Sequence, residues 1–391
     1  MSCNGFVSRS DGLPLGLYLH IPFCRHRCNY CDFNTYVGLN DLYEPYVRAL
    51  QQEIVRAAQA ASQGLPPAST LFFGGGTPSL LRPEWLGDLV RTCREQFGLT
   101  QTSEVTVECN PGTVDVAYLS ELRAQGVNRL SFGAQSADPG ELKLLGRIHN
   151  FDDVAAAMHT ARQTGFDNVN LDLIFGLPYQ TLSTWQHTLD ATLALGPDHI
   201  SLYALTVEQG TPMYDWVRRG EVPTPDPDAA ADMYDYAEAS MANDGFTHYE
   251  ISNWCKPGHA CAHNLIYWRN EPYYGFGAGA HSSSIHRRWW NVRRPADYVA
   301  RIQRGERVEM GHEEIDPPTS RGETMMLGLR LLEEGISPAR FSSRYGAPMD
   351  QFYATELRDG LQRGLLEITP NRVRLTAKGH FLSNQILSAF V

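Results

Sequence analysis

The chain has 391 residues, of which 42% are hydrophobic, 10% aromatic and 20% charged. That is ordinary globular composition for two or three domains and excludes a mainly disordered chain. With 33 basic against 44 acidic residues the net charge is −11, which argues against nucleic-acid binding and against standing attraction to anionic lipid. No apolar run reaches the ~18 residues of a membrane span. The segment Met1-Ser2-Cys3-Asn4-Gly5 lacks the charged-then-apolar order of a secretory signal, so a cytoplasmic location is expected.

In chain order, short β-branched and aromatic runs alternate with helical patterns. A strand is expected at 15–21, followed by a helix whose Leu39, Leu42, Tyr43, Tyr46, Val47, Leu50, Ile54 and Val55 share one face. Further strands are expected at 69–73, 104–109, 127–132, 168–175 and 199–204. Helices are expected between them near 83–97, 115–124, 138–145, 151–164 and up to Leu195. Six consecutive βα units with right-handed crossovers predict an α/β fold over 1–206, a parallel sheet with helices outside that is either open or curled into a partial (βα)6 TIM-like barrel. Prolines 223, 225 and 227 mark a break. A mixed region over 207–315 follows, with a helix at 227–243, a strand at 247–251 and a glycine- and aromatic-rich stretch. The last segment, 316–391, predicts three helices and a strand pair, 366–368 and 372–375, as a winged-helix-like unit.

Eight cysteines are present, and three of them, Cys24, Cys28 and Cys31, fall within eight consecutive residues just after the first strand. In a cytosolic chain clustered thiols point to metal or redox chemistry. Zinc with His20 or His26 as fourth ligand is one reading. A cubane held by three thiolates, with one iron left open to a chelating ligand, is the other. Cys93, Cys109, Cys255 and Cys261 read as buried thiols. The site of a parallel βα fold lies at the carboxyl ends of its strands. The glycine run 74–76, Glu108, Gln135 and Asp172 all fall there. Glycines after a strand let backbone approach a ligand closely, and their free polar groups can bind it. Arg147 suits a carboxylate.

The loop Cys24-x-x-x-Cys28-x-x-Cys31 resembles the cluster motif of the radical S-adenosylmethionine superfamily. The resemblance implies a [4Fe-4S] cluster on these cysteines whose open iron chelates S-adenosylmethionine, with reductive cleavage giving a 5′-deoxyadenosyl radical. It implies an electron donor such as a flavodoxin. Tyr30 matches the aromatic residue expected against adenine. Tyr18, Gly75, Gly76, Thr77, Glu108, Gln135, Arg147, Asp172 and, less closely, Thr206 match cofactor-contacting positions.

Over nearly the whole chain the sequence is similar to the branch that contains oxygen-independent coproporphyrinogen dehydrogenases and HemW-type haem chaperones. Leu17 to Cys24, Gly74 to Pro78, Asn128 to Gly133, Leu145 to His149 and Asp172 to Pro178 carry that resemblance. Two features point to the chaperone side. Phe33 stands where the dehydrogenase has a fourth cysteine, and only 23 residues precede Cys24. His263-Asn264-x-x-Tyr267-Trp268 looks like a haem-associated motif, with His263 as axial ligand and Gly275, Gly277 and Gly279 permitting close approach of a flat macrocycle. A hydrogen-bonded core corner is the alternative reading of that motif, and His281 is equally open. The resemblance thus implies haem as cargo, a haem-accepting apoprotein as partner, and at most transient membrane contact if the acceptor is a respiratory enzyme.

Overall fold

The computed structural model describes residues 13–61 and 66–391, so Cys3 and the N-terminal segment read above lie outside the described residues. The six expected strands are present as β1 Leu15–Ile21, β2 Ala68–Gly75, β3 Glu104–Cys109, β4 Arg129–Gln135, β5 Val169–Phe175 and β6 His199–Ala204. They pair in parallel in sequence order, and helices α1 Tyr43–Ala60, α2 Pro83–Phe97, α3 Val116–Ala124, α4 Pro139–Leu145, α5 Phe151–Gln163 and α6 Leu182–Ala194 connect them. Local chemistry sets the helix ends. Pro83 opens α2 and Gly98 closes it in the left-handed region, and Asn150 and Asp153 form a capping box on α5.

The chain after β6 does more than cover this core. Helices α7 Pro212–Arg218 and α8 Pro227–Asn243 lead to the hairpin β7 Thr247–Glu250 and β8 Asn253–Cys255, which joins the sheet beside β6. Helix α9, Ala262–Trp268, then carries the chain to the opposite side. There β9, Tyr273–Phe276, adds a seventh parallel strand beside β1. Strands β10 His281–Ser283, β11 Arg287–Asn291 and β12 Glu309–Glu314 extend that edge antiparallel, with α10 Pro295–Gln303 packed behind. The result is one twelve-stranded sheet, β12-β11-β10-β9-β1-β2-β3-β4-β5-β6-β8-β7. Beyond the six expected βα strands, β9 is a further parallel strand that arrives from outside the βα order.

One apolar cluster runs from Leu15 to Val308 and a second from Met325 to Phe390. The second belongs to a C-terminal unit of α11 Pro317–Gly328, α12 Pro338–Tyr345, α13 Met349–Gln362, the hairpin β13 Leu366–Ile368 and β14 Val373–Leu375, then α14 Ala377–Phe381 and α15 Ser383–Leu387. Among the described residues, five helices rather than three surround the hairpin.

The two faces of the central strands differ. Leu17, Leu19, Leu71, Phe73, Val105, Val107, Leu130, Phe132, Leu171, Leu173, Ile200 and Leu202 are buried against the helices. Their neighbours at period two, Tyr18, Thr70, Thr106, Glu108, Arg129, Ser131, Asn170, Asp172, His199 and Ser201, face the concave side. A parallel sheet covered on both faces is usually apolar throughout. Here the interior is polar, and that places the site.

Candidate functional site

The thiol loop leaves β1 at the carboxyl-end rim. It is fastened to its neighbours rather than free. Asn29 N donates to Leu145 O at 3.0 Å, Asn29 Nδ2 to Leu144 O at 3.0 Å, and Met213 N to Asn29 O at 2.9 Å. Cys24, Cys28 and Cys31 are partly exposed and carry no disulfide. Thr77 Oγ1 donates to Cys24 Sγ at 3.7 Å, and Arg147 Nη1 to Cys28 Sγ at 3.4 Å. Burial pushes the Cys24 thiol up to about 11, the Thr77 hydroxyl acting against it.

These features fit a cluster better than a single zinc ion. Hydrogen-bond donors and a guanidinium beside the sulfurs are what stabilise and tune a thiolate-bound cluster. Thiolates on one tetrahedral zinc at about 2.3 Å would crowd within 4.8 Å of each other, and the three thiols do not form such a set among the described residues. His20, offered above as a zinc ligand, has both ring nitrogens engaged, Nδ1 with Tyr18 OH at 3.0 Å and Nε2 with Asn34 O at 3.0 Å. Phe33, in place of a fourth cysteine, is 64% exposed.

The glycine run forms a close cradle against the loop. Gly75 has φ +110°, where a side chain would also meet the His20 ring, and a Cβ on Gly76 would lie 2.5 Å from Phe23 O. The N–H groups, however, are not free as the sequence suggests. Gly75 N donates to Glu108 Oε2 at 3.1 Å, Gly76 N to Ile21 O at 2.8 Å and Thr77 N to Phe23 O at 2.8 Å.

The remaining rim residues converge as follows. Arg147 Nη2 donates to Gly133 O at 2.8 Å, and its Nε is buried without a partner. Gln135 sits at φ +68° on a bulge in β4, and its amide lies against Gly133 beside Arg147. Tyr30 packs with Leu145, Ile174, Leu177 and Leu205. Asp172 accepts from Ser131 Oγ at 3.0 Å and Asn170 Nδ2 at 2.8 Å. Burial, then the Asp172 charge, pushes Glu108 up to about 8, and burial also raises Asp172. Thr206 is exposed, on the coil just past β6.

Inside the barrel is a cavity of about 210 Å³ lined by Tyr18, Glu108, Arg129, Asp172, His263 and Tyr267 among others. Helix α9 is its floor, at the amino ends of the strands. Ala262 N and His263 N donate to the Glu104 carboxylate at 3.0 Å each, seating the helix start on a negative charge. His263 is 1% exposed and stacks on Phe72 at 5.1 Å. Its Nδ1 pairs with Thr70 Oγ1 at 2.8 Å and its Nε2 with Tyr267 OH at 2.9 Å. Burial pushes its pKa down to about 3.

His263, expected above as the haem ligand, thus has both ring nitrogens hydrogen-bonded within the protein. The cavity beside it, at about 210 Å³, is below the ~300–1,000 Å³ of ordinary small-molecule sites. The motif also splits. Asn264 and Tyr267 line the cavity, whereas Trp268 faces the C-terminal unit under the Arg330 guanidinium at 4.3 Å. The glycines at 275, 277 and 279 approach protein, not open space: a Cβ would strike the His281 carbonyl, Tyr46 OH and the Asn34 amide. His281 itself is exposed, stacked on Trp290 at 5.8 Å.

Sequence reasoning names Tyr18, Glu108 and Asp172 but misses other polar residues of the interior. It does not single out Arg129, which is 2% exposed. Nor does it find the set in which Asn170 Oδ1 accepts from Ser201 Oγ at 3.2 Å and pairs with His199 Nδ1 at 2.6 Å. A signal exists: Val169-Asn170-Leu171-Asp172-Leu173 alternates where a doubly covered strand should not.

A parallel partial barrel with three thiols on the loop after its first strand and a small-residue cradle after its second defines a radical S-adenosylmethionine protein. The Radical SAM superfamily model matches residues 18–192, and the HemN C-terminal domain model matches 315–382. The chain is 38% identical to "Heme chaperone HemW" of Bacillus subtilis, over 96% of this chain and 98% of that protein. It is 36% identical to the protein of the same name in Synechocystis, over 96% of each. Among solved structures, coproporphyrinogen III oxidase (HemN) from Escherichia coli shares the fold, with a TM-score of 0.83 at 24% identity over 97% of this chain and 90% of that one. The chain belongs to the radical S-adenosylmethionine superfamily and, within it, to the family of the HemW proteins.

Proposed function

We propose that this protein binds haem and delivers it to an acceptor apoprotein, carrying a [4Fe-4S] cluster on Cys24, Cys28 and Cys31 and S-adenosylmethionine at the rim above it. The observation that carries this reading is the near-full-length similarity to relatives named haem chaperones, at 36–38% identity. The donors on Cys24 and Cys28 and the Gly75–Gly76 cradle support the cluster. The cofactor's amino acid and ribose would be held by Thr77, Glu108, Gln135, Arg147 and Asp172, with Tyr30 and Tyr18 flanking. The cluster would supply one-electron reduction of the sulfonium when a donor such as a flavodoxin is present.

For haem we favour the exposed His281 over His263. Partial burial and the Arg288 and Arg293 guanidinium groups hold its pKa down, keeping a neutral imidazole, and Trp290 offers an aromatic face. Its neighbour His20 lies at the thiol-loop end of β1. Among the described residues no helix is long and apolar enough to cross a membrane, so a membrane-bound acceptor would be met by contact.

The test is an anaerobic preparation analysed for iron and titrated with haem at the Soret band. About four irons per chain, lost on Cys→Ala at 24, 28 or 31, with saturable one-to-one haem binding, supports the proposal. Colourless protein holding one zinc, or no saturable haem binding, overturns it.

A further inference from the structure

The C-terminal unit docks on the β7–β8 edge of the barrel. Leu332 N donates to Tyr249 O at 3.0 Å, Arg330 pairs with the buried Glu250 at 3.5 Å, and Ile251 packs on the second apolar cluster. Beside this junction three side chains from three elements meet: Glu238 of α8, His248 of β7 and His380 of α14. One ligand atom from each lies within 4.8 Å of the others. We propose that they bind one divalent d-block cation, with zinc the natural occupant, and that this ion staples the C-terminal unit to the barrel.

The geometry of His248 is that of a prepared ligand. Its Nε2 faces Ile251 O at 3.3 Å and Tyr234 OH at 3.2 Å. An N–H given to the Ile251 carbonyl leaves Nδ1 as the lone-pair nitrogen, the arrangement that metal-bound histidines adopt. That Nδ1 looks at Glu238 Oε1 from 3.8 Å, too far for a hydrogen bond. The ring is clamped flat on Trp254, with centroids 3.8 Å apart and 9° between planes. His380 meets it edge-on at 5.8 Å.

Both His248 Nδ1 and His380 Nδ1 are buried without a hydrogen-bond partner. Two buried imidazole nitrogens without partners, His248 Nδ1 facing the Glu238 carboxylate and His380 Nδ1 on the third residue of the group, are costly as they stand. They are satisfied together by a cation that accepts nitrogen and oxygen donors. Three protein ligands leave a further position for water. The site is built from none of the rim residues and does not rest on the haem reading.

Cobalt(II) titrated into the chelator-stripped, cluster-loaded full chain is the test. The expected result is one ion per chain with the visible bands of nitrogen and oxygen ligation, displaced by zinc, and a higher Tm with zinc. His380→Ala and Glu238→Gln should each weaken binding at least about tenfold, since loss even of outer-shell partners costs that much. They should also lose the zinc-dependent rise in Tm. No saturable binding, binding unchanged in both variants, or binding that shows only thiolate charge-transfer bands would overturn the proposal.

Discussion

Arg147 bridges the thiol loop and the fourth strand, donating from Nη1 to Cys28 Sγ and from Nη2 to Gly133 O. Its charge therefore lies where a reduced, more negative cluster would need it. Arg147→Met should lower the midpoint potential of the reconstituted cluster and weaken iron retention about 10–100-fold, as losses of outer-shell partners do. Electrochemical titration reads this; an unchanged potential in a variant that retains its iron would place the guanidinium outside the cluster's field.

Gly75 combines φ +110° with a site where Cβ would enter the His20 ring. Gly75→Ala, which at a compatible site would stabilise by up to ~1 kcal/mol, should here destabilise the protein by more than that and displace the Glu108 contact. Equilibrium dialysis with S-adenosylmethionine should show weakened binding at equal iron content. Wild-type affinity would remove the cradle from the site.

Glu108, held up to about 8 by burial and then by Asp172, keeps its proton more firmly folded than unfolded. Its contribution to stability is full below about 4.5, the ordinary carboxyl value, and is lost as pH rises towards about 8. Glu53, up to about 7 through burial, acts in the same direction over a narrower window. Glu108→Gln should thus gain in Tm relative to wild type as pH rises between these limits, the Glu53 part remaining. Parallel Tm curves for the two proteins would contradict the assignment.

His263 and His281 should separate cleanly. His263→Ala leaves Thr70 Oγ1 and Tyr267 OH without their partner in a buried corner, each worth about 1–3 kcal/mol. At about 2–4 °C per kcal/mol, thermal denaturation should show a marked fall in Tm while the folded variant still takes up haem. His281→Ala should keep its Tm and lose haem affinity. The opposite pattern would make the floor histidine the ligand.

The barrel is legible in the sequence because its six βα units are local. Each strand meets its neighbour through the helical segment between them, and the spacing of Tyr46, Val47, Leu50 and Ile54 marks the packed face of α1. The thiol loop is legible for the same reason, its three cysteines lying within one short stretch. What is not legible depends on distant pairings. Strand β9 is four residues, Tyr273 to Phe276, without a βα repeat around it, and its place beside β1 is set by the path of α9 beneath the barrel. His263 looks like a ligand because its chemistry allows it; only the fold brings Thr70 and Tyr267 to its two nitrogens. The N–H groups expected to be free at Gly75 to Thr77 are likewise taken by Glu108 of β3, Ile21 of β1 and Phe23 of the thiol loop.

The most direct test of the haem-carrier reading uses one anaerobic, cluster-loaded sample for two measurements: haem titration, and incubation with coproporphyrinogen III, S-adenosylmethionine and reductant. Saturable binding of one haem per chain with no decarboxylated product is the predicted result. Decarboxylation of coproporphyrinogen III without haem binding would contradict it.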